Sequence, residues 1–359
     1  MAYLKKLKFT FDYFDLYRGK LYFRAMILVT GGSGFLGAHI LAQLTQKHPV
    51  VRALFRNPKG LDKVREVFGY YFENQASYFD KIEWIQCDLN DITTLSEAVN
   101  GVSEVYHVAG LINFEWRRHD ELKSTNTTGT ENLVNCCLEA KVQKLCYISS
   151  IAAMGQKSNA QDQDVLTPGL IKDPYGLTKY GGELEVWRGA QEGLNVIILR
   201  PGVILGEGFW RSGSGVLLKF VSSEPKWYPP GGTGFVDVKD VAAFALRLME
   251  AGKYNLTLTL VGHNMSYLEV LQKIGRALGS KKPPKWAVPL WVGLLGHYVD
   301  YLRAMITGAP EKLPKAYLDA MFEMTSYDGQ PAALETQCSY TELEHTLQRI
   351  CSLAPYKIK

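Results

Sequence analysis

Tyr175 and Lys179 stand four residues apart, a spacing that on a helix sets a phenol and an ammonium on the same face. Upstream, Ser149-Ser150 closes a short apolar run, and Asn126 opens a stretch with helical spacing. Together these groups suit redox chemistry at a carbonyl or secondary alcohol. The phenol donates a proton to a carbonyl oxygen as hydride arrives, or accepts one in the reverse direction. An unperturbed tyrosine titrates near ~10, so exchange near pH 7 asks for a shift of about three units, roughly 4 kcal/mol. A charged Lys179 and the positive charge of an oxidised nicotinamide would supply part of that by favouring phenolate. Ser150 would hold the substrate oxygen, with Ser149 open as the alternative after a one-residue shift, and Asn126 would orient water behind Lys179. The plain alternatives are a surface Tyr–Lys pair, a serine closing a strand and an asparagine capping a helix. Among 20 tyrosines about one such Tyr–Lys spacing arises by chance, so it is position that gives this one weight.

That position follows from a second cluster. Thr30-Gly31-Gly32-Ser33-Gly34-Phe35-Leu36-Gly37 lies between an apolar run and a helical pattern. Glycines at 31, 34 and 37 allow a tight turn, close approach of backbone to a pyrophosphate and close helix–strand packing. The helix N-terminus then offers free N–H groups to the phosphates. In this strand–loop–helix setting the loop reads as a dinucleotide site rather than a structural turn.

The next strand end distinguishes cofactors. A site for NAD usually carries Asp or Glu there for the ribose hydroxyls. Here the run is Val51-Arg52-Ala53-Leu54-Phe55-Arg56-Asn57-Pro58-Lys59, with Lys63 beyond and no carboxylate at the strand end. A guanidinium grips a 2′-phosphate, which an acid would repel, so NADP is expected over NAD. The competing reading makes Arg56 a surface charge. Asp88-Leu89 follows a third strand, where the carboxylate would accept the adenine amino group or simply hold a turn. His107-Val108-Ala109-Gly110 ends a fourth strand, where small residues let the backbone lie against the cofactor.

These clusters need a scaffold of alternating elements. Strands are expected at 26–30, 50–55, 82–87, 104–108, 145–148 and 195–199, and helices at 35–47, 61–68, 95–99, 127–140 and 176–191. Such alternation implies an α/β fold with a doubly wound parallel sheet and a crevice at its switch point. After Pro201 the pattern loosens. Strands are expected at 235–238 and 257–261 around a helix at 239–250, and a mostly helical tail runs from Ser266. The expected organisation is an extension over 1–25, a Rossmann-type domain over 26–205 to which 235–261 returns, and a smaller substrate lobe from 206–234 and 262–359.

Composition excludes other classes. The 359 residues are 47% hydrophobic and 21% charged, which rules out disorder, collagen-like repeats and disulfide scaffolds. Net charge is +4, but residues 1–25 hold six basic and two acidic residues, leaving 34 of each sign in 26–359. The body therefore lacks the basic field of a nucleic-acid binder. Six cysteines form no CxxC pair, and no metal site is expected. With no secretory signal and no apolar run of about 18 residues, a cytoplasmic protein without a membrane span is expected. Residues 1–25, interrupted by Asp12, Asp15 and Arg18, read as an upstream extension, with an amphipathic arm or docked helix as alternatives.

As a set, the loop at 30–37, Asp88-Leu89, His107–Gly110, Asn126, Tyr147–Ser150, Tyr175 with Lys179, Arg200-Pro201-Gly202 and the run Phe235–Asp240 resemble the extended short-chain dehydrogenase/reductase superfamily. Within it the chain looks most like enzymes of the dihydroflavonol-4-reductase and 3β-hydroxysteroid-dehydrogenase types. The resemblance implies Tyr175 as proton donor, Lys179 and Ser150 beside it, and Asn126 in support. It implies cofactor contacts from Gly31, Ser33, Gly34, Phe35, Leu36, Gly37, Arg56, Lys63, Asp88, Leu89, Val108, Ala109, Gly110, Tyr175, Lys179, Pro201 and Val203. It also implies a homodimer through helices 119–140 and 176–191. Ser150 is followed by Ile151-Ala152-Ala153 instead of the Asp-Glu pair of sugar-nucleotide dehydratases. Residues 201–235 hold no Asn of the kind epimerases use for a diphosphate, but do hold Phe209, Trp210, Trp227 and Tyr228. Those aromatics suit an apolar or ring-shaped small-molecule substrate, or else lobe core. The expected function is NADP(H)-dependent hydride transfer to or from a carbonyl or alcohol. A sugar-nucleotide epimerase using NAD and a non-catalytic NADP-sensing protein are the alternatives.

Overall fold

The computed structural model describes residues 26–155 and 171–356, together with the backbone of Phe14–Tyr17 and Lys20–Phe23. Those two short segments pair as an antiparallel hairpin separate from every other sheet. The rest of the expected 1–25 extension lies outside the described residues.

Seven parallel strands build the centre. They are β1 (Met26–Thr30), β2 (Val51–Phe55), β3 (Ile82–Gln86), β4 (Val102–His107), β5 (Lys144–Ile148), β6 (Asn195–Pro201) and one later strand, Leu256–Leu260. In space they run β3-β2-β1-β4-β5-β6, with Leu256–Leu260 at the β6 edge. All six pairings are parallel. The order reverses between β1 and β4, and a crevice opens there beyond the strand ends. β1 is five consecutive buried residues because helices cover both faces of a parallel sheet.

The covering helices are α1 (Phe35–Lys47), α2 (Leu61–Gly69), α3 (Ile92–Val99), α4 (Gly129–Glu139) and α5 (Pro174–Gln191). One core, with Ile27, Val29, Ile40 and Leu41, fills one face of the sheet. A second, with Leu28, Val105, Leu133 and Val186, fills the other. Neighbouring strand residues point to opposite faces, which is why Ile27 and Leu28 enter different cores.

Beyond β6 the chain builds a smaller unit. Strand β7 (Val203–Leu205) pairs in parallel with β8 (Gly232–Asp237), and β8 pairs antiparallel with the strand His263–Ser266. β8 joins this three-stranded sheet, whereas α7 (Val238–Ala251) and the strand Leu256–Leu260 go back to the large sheet. At Gly202, between β6 and β7, a Cβ would meet the Gly234 carbonyl oxygen at 2.5 Å, so the missing side chain lets the two strands lie close. Helices α6 (Ser214–Ser222), α8 (Tyr267–Ala277), α9 (Leu290–Thr307), α10 (Lys315–Phe322) and α11 (Leu343–Leu353) complete the lobe. Arg349 of α11 ties it down, bonding the buried carboxylates of Glu207 at 3.0 Å and Asp237 at 2.7 Å.

Candidate active site

The glycine loop meets the end of β4 at the crevice. Gly31 has φ +68°, and a Cβ there would sit 2.6 Å from the Ala109 nitrogen, so only glycine fits. Gly37 packs as tightly, its would-be Cβ 2.2 Å from the Gly31 carbonyl oxygen. Ser33, Gly34, Phe35 and Leu36 follow the turn into α1. No side chain caps α1 at Gly34 and its first turn holds no acid, so its amino end keeps the N–H groups and positive dipole that a pyrophosphate needs. Thr30 Oγ1 accepts from the Ala109 amide at 3.2 Å and bonds His107 Nδ1 at 2.7 Å, pinning the two loops together. Burial holds His107 down to about 3, so it is a neutral ring in this network.

At the far end of the crevice Arg56 follows β2, and Asn57 Oδ1 accepts the Lys59 amide at 3.0 Å to start the next turn. Among the described residues no carboxylate pairs with Arg56. The Lys63 ammonium lies 5.4 Å from the centre of the Phe209 ring. Asp88 is exposed and turns its Oδ1 to the Asn90 amide at 3.0 Å, while Leu89 beside it is buried. Val108 and Ala109, at the β4 end, lie against Gly31 of the glycine loop, and Gly110 follows them. Pro201 closes β6, and Val203, 39% exposed, stands in the small sheet.

Helix α5 begins where its chemistry dictates. Asp173 accepts the Gly176 amide at 2.7 Å and Pro174 occupies the first turn. Gly176 and Gly182 let α5 lie close to its neighbours: Cβ atoms there would fall 2.4 Å from the Ala152 carbonyl oxygen and 2.3 Å from the Tyr147 hydroxyl. The approach sets Tyr175 beside Ser150, whose hydroxyl eases ionisation of the phenol. Ser150 also caps the turn at Ile151–Met154. Ser149 is buried with its hydroxyl unpartnered among the described residues.

Lys179, 3% exposed, donates to the Ile148 carbonyl oxygen at 2.7 Å and lies 4.2 Å from the Tyr147 ring centre. Burial lowers it to about 7, against the pull of Glu183. Burial raises Tyr175 to about 12; the Ser150 hydroxyl lowers it and the Asp173 charge raises it. In the protein alone, burial away from water raises Tyr175 and lowers Lys179, each toward its neutral form. One turn beyond Lys179, Glu183 forms a buried pair with Arg200, at 2.9 and 2.6 Å. That pair escaped sequence reasoning, although positions 175, 179 and 183 repeat every four residues along one face.

Asn126 is corrected too. The helical stretch begins at His119, and Asn126 sits within it in a wide turn at Ser124–Thr128. Its Oδ1 accepts the Leu111 amide at 2.8 Å; its Nδ2 donates to the Leu111 carbonyl oxygen at 2.9 Å and to Thr178 Oγ1 at 3.0 Å. It clamps the loop after β4 to α5 rather than capping a helix.

The expected substrate aromatics divide between the sheet and lobe cores and the surface. Phe209 packs on Phe35, while Trp210 and Tyr228 pack around Leu218 and Ile274. Trp227 pairs with Trp286, both half-exposed. The rings beside Tyr175 come from elsewhere: Phe114 meets it edge-on at 5.6 Å, and Tyr317 of α10 stacks on Phe114 at 5.7 Å. No motif marks Tyr317, because its place depends on how the tail folds back.

The site and sheet define an enzyme of the extended short-chain dehydrogenase/reductase superfamily. The chain belongs to the NAD dependent epimerase/dehydratase family, which it matches over residues 27–257. It is similar to the "Putative dihydroflavonol 4-reductase" of Synechocystis sp., 27% identical over 330 residues, covering 89% of this chain and 91% of the relative. It is 28% identical over 265 residues to cinnamoyl-CoA reductase 1 of Petunia hybrida, covering 69% of this chain and 77% of that one. Its fold is that of the UDP-glucuronic acid 4-epimerase of Bacillus cereus in complex with NAD, with a TM-score of 0.70 at 20% identity over 92% of this chain and 96% of that one. At that identity the likeness speaks to the fold alone.

Proposed function

We propose that the chain transfers hydride between NADP(H) and a carbonyl or secondary alcohol of an apolar, ring-shaped substrate. One observation carries this reading: the buried Tyr175 phenol, beside Ser150, meets the Phe114 ring on which Tyr317 stacks. The cofactor, when bound, gives or takes the hydride. Tyr175, held protonated at neutral pH, passes its proton to the substrate oxygen in reduction, and Ser150 holds that oxygen. Lys179, fixed by the Ile148 carbonyl oxygen, biases the phenol when charged, and Asn126 holds the loop after β4 in place. The loop 31–37 with Val108, Ala109 and Gly110 takes the pyrophosphate and its flank, and Arg56 and Lys63 take the 2′-phosphate. Asp88 and Leu89 take the adenine, and Pro201 and Val203 the nicotinamide end. Relatives named as reductases support the reading. A cytoplasmic homodimer through α4 and α5 is part of the same proposal.

Titration of the purified protein with NADPH and with NADH tests it. Exchangeable NADPH that binds at least about tenfold tighter than NADH is expected from a guanidinium–phosphate contact. NAD retained through purification, with no preference for NADPH, would instead favour a sugar-nucleotide epimerase.

A further inference from the structure

Helix α9 is built inside out. Its outward face carries Trp291, Leu295, Tyr298, Leu302, Met305 and Ile306, from 57% exposed at Leu295 to 84% at Ile306, except Leu302 at 54%. Trp291, Leu295, Tyr298, Leu302 and Met305 advance by three or four residues, and Ile306 lies four beyond Leu302, so they form one continuous stripe. The inward face holds the small and polar residues. A Cβ on Gly293 would meet Leu318 at 2.8 Å. His297 donates to the Leu313 carbonyl oxygen at 2.9 Å, and Asp300 accepts the Leu313 amide at 2.9 Å. Arg303 donates to the Pro310 carbonyl oxygen at 2.6 Å. Those bonds fix the rotation of the helix, so the apolar stripe cannot turn inward without losing them.

The surroundings say what covers the stripe. Trp286 and Trp227, half-exposed and ring to ring at 5.6 Å, extend it at the amino end of α9. Exposed Lys226, Lys281, Lys282 and Lys285 stand at the same end, and of these only Lys282 has a carboxylate partner among the described residues, Glu224. Residues 281–315 hold six Lys or Arg against Asp300 and Glu311 alone. An apolar helical face with indoles at one end and unpaired lysines around them is the composition of an in-plane membrane helix. Among the described residues no helix is long and apolar enough to cross a bilayer, so the helix would lie in the interface.

We infer that α9, with Trp227 and Trp286, is a docking surface for a lipid bilayer carrying anionic headgroups. The stripe enters the headgroup–acyl boundary and the lysines meet the phosphates. This goes beyond the hydride-transfer reading and does not depend on it, since binding is read without turnover.

The test is co-sedimentation of the full chain with vesicles of phosphatidylcholine, with and without phosphatidylglycerol. The wild type is expected to pellet with the anionic vesicles and to be released by salt. Trp291→Glu and Leu302→Glu, at exposed positions, should keep the thermal unfolding midpoint and lose binding by about tenfold or more. Replacing Lys281, Lys282 and Lys285 with Gln should weaken binding to anionic vesicles alone, about fivefold per lysine. A wild type that stays in the supernatant with both compositions overturns the inference. So does binding that survives the two Glu substitutions, which would place the contact elsewhere, for instance on residues 1–25. A dimer in sedimentation velocity that Leu302→Glu dissociates, without vesicle binding, would assign the face to a second copy and also overturn it.

Discussion

Helices α1 and α9 have similar apolar content and opposite fates. α1 buries Leu36, Ile40, Leu41 and Leu44, and even its His39 is enclosed, bonded to the Tyr71 hydroxyl and the Glu207 carbonyl oxygen. α9 buries only Gly293 and Ala304. The difference lies in the neighbours. α1 has the sheet on one side and α7 and α2 on others, whereas α9 has α10 and the loop after it on one side only. Apolar residues in a helix do not by themselves say that it is buried; the number of faces covered does.

The sharpest way to break this comparison is to cut one leucine from each helix. Leu41→Ala should cost about 2–5 kcal/mol of unfolding free energy, because a fully buried side chain leaves a cavity. Leu302→Ala should stay within about 0.5 kcal/mol, as expected of an exposed position. Equal losses in chemical denaturation would show that α9 is covered in the protein as it exists.

The same contrast can be drawn inside the site, between a residue fixed by motif and one supplied by the tail. Tyr175→Phe should lower turnover by about 10²-fold or more with cofactor binding intact. Tyr317→Ala should act mainly on KM for the substrate, since its ring only stacks on Phe114. Steady-state kinetics with a ring ketone would separate them, and unchanged turnover in Tyr175→Phe would remove that residue from the mechanism. At the cofactor end, Arg56→Ala should weaken NADPH about tenfold and leave NADH untouched, read by titration.

Lys179 adds a pH dependence to this comparison. Its folded value, about 7, is below the unfolded 10.5. Between those values the unfolded chain binds the extra proton, so this group's contribution to stability rises with pH across that window. Below it, the folded state carries a buried charge. Lys179→Met should therefore gain on the wild type, by up to roughly 4 kcal/mol, at pH 6 relative to pH 10. Denaturation at the two pH values would reveal a difference of opposite sign if the Glu183 attraction outweighed desolvation.

The α/β architecture was legible because its signals are local. A run such as Met26–Thr30 is a buried parallel strand in almost any context, and the glycines that follow are imposed by a turn with φ +68° and a 2.6 Å approach. Tyr175 and Lys179 were legible for the same reason, since the helical repeat alone puts them on one face. Other features depended on segments distant in the chain. Asn126 was read as a helix start because the preceding turns at His119–Lys123 are short and polar. The aromatics at 209–228 were ambiguous, since rings that line a pocket and rings that fill a core have the same composition.

By itself, then, the sequence determined the sheet, the phosphate loop, and the phenol and ammonium on one helix face, because these follow from contacts a few residues apart. Only the tertiary structure decided which ring flanks Tyr175, how burial shifts the acidity of Tyr175 and Lys179, and which way α9 turns its leucines. Each of those depends on what a distant part of the chain removes from water, and desolvation belongs to the assembled fold rather than to any residue.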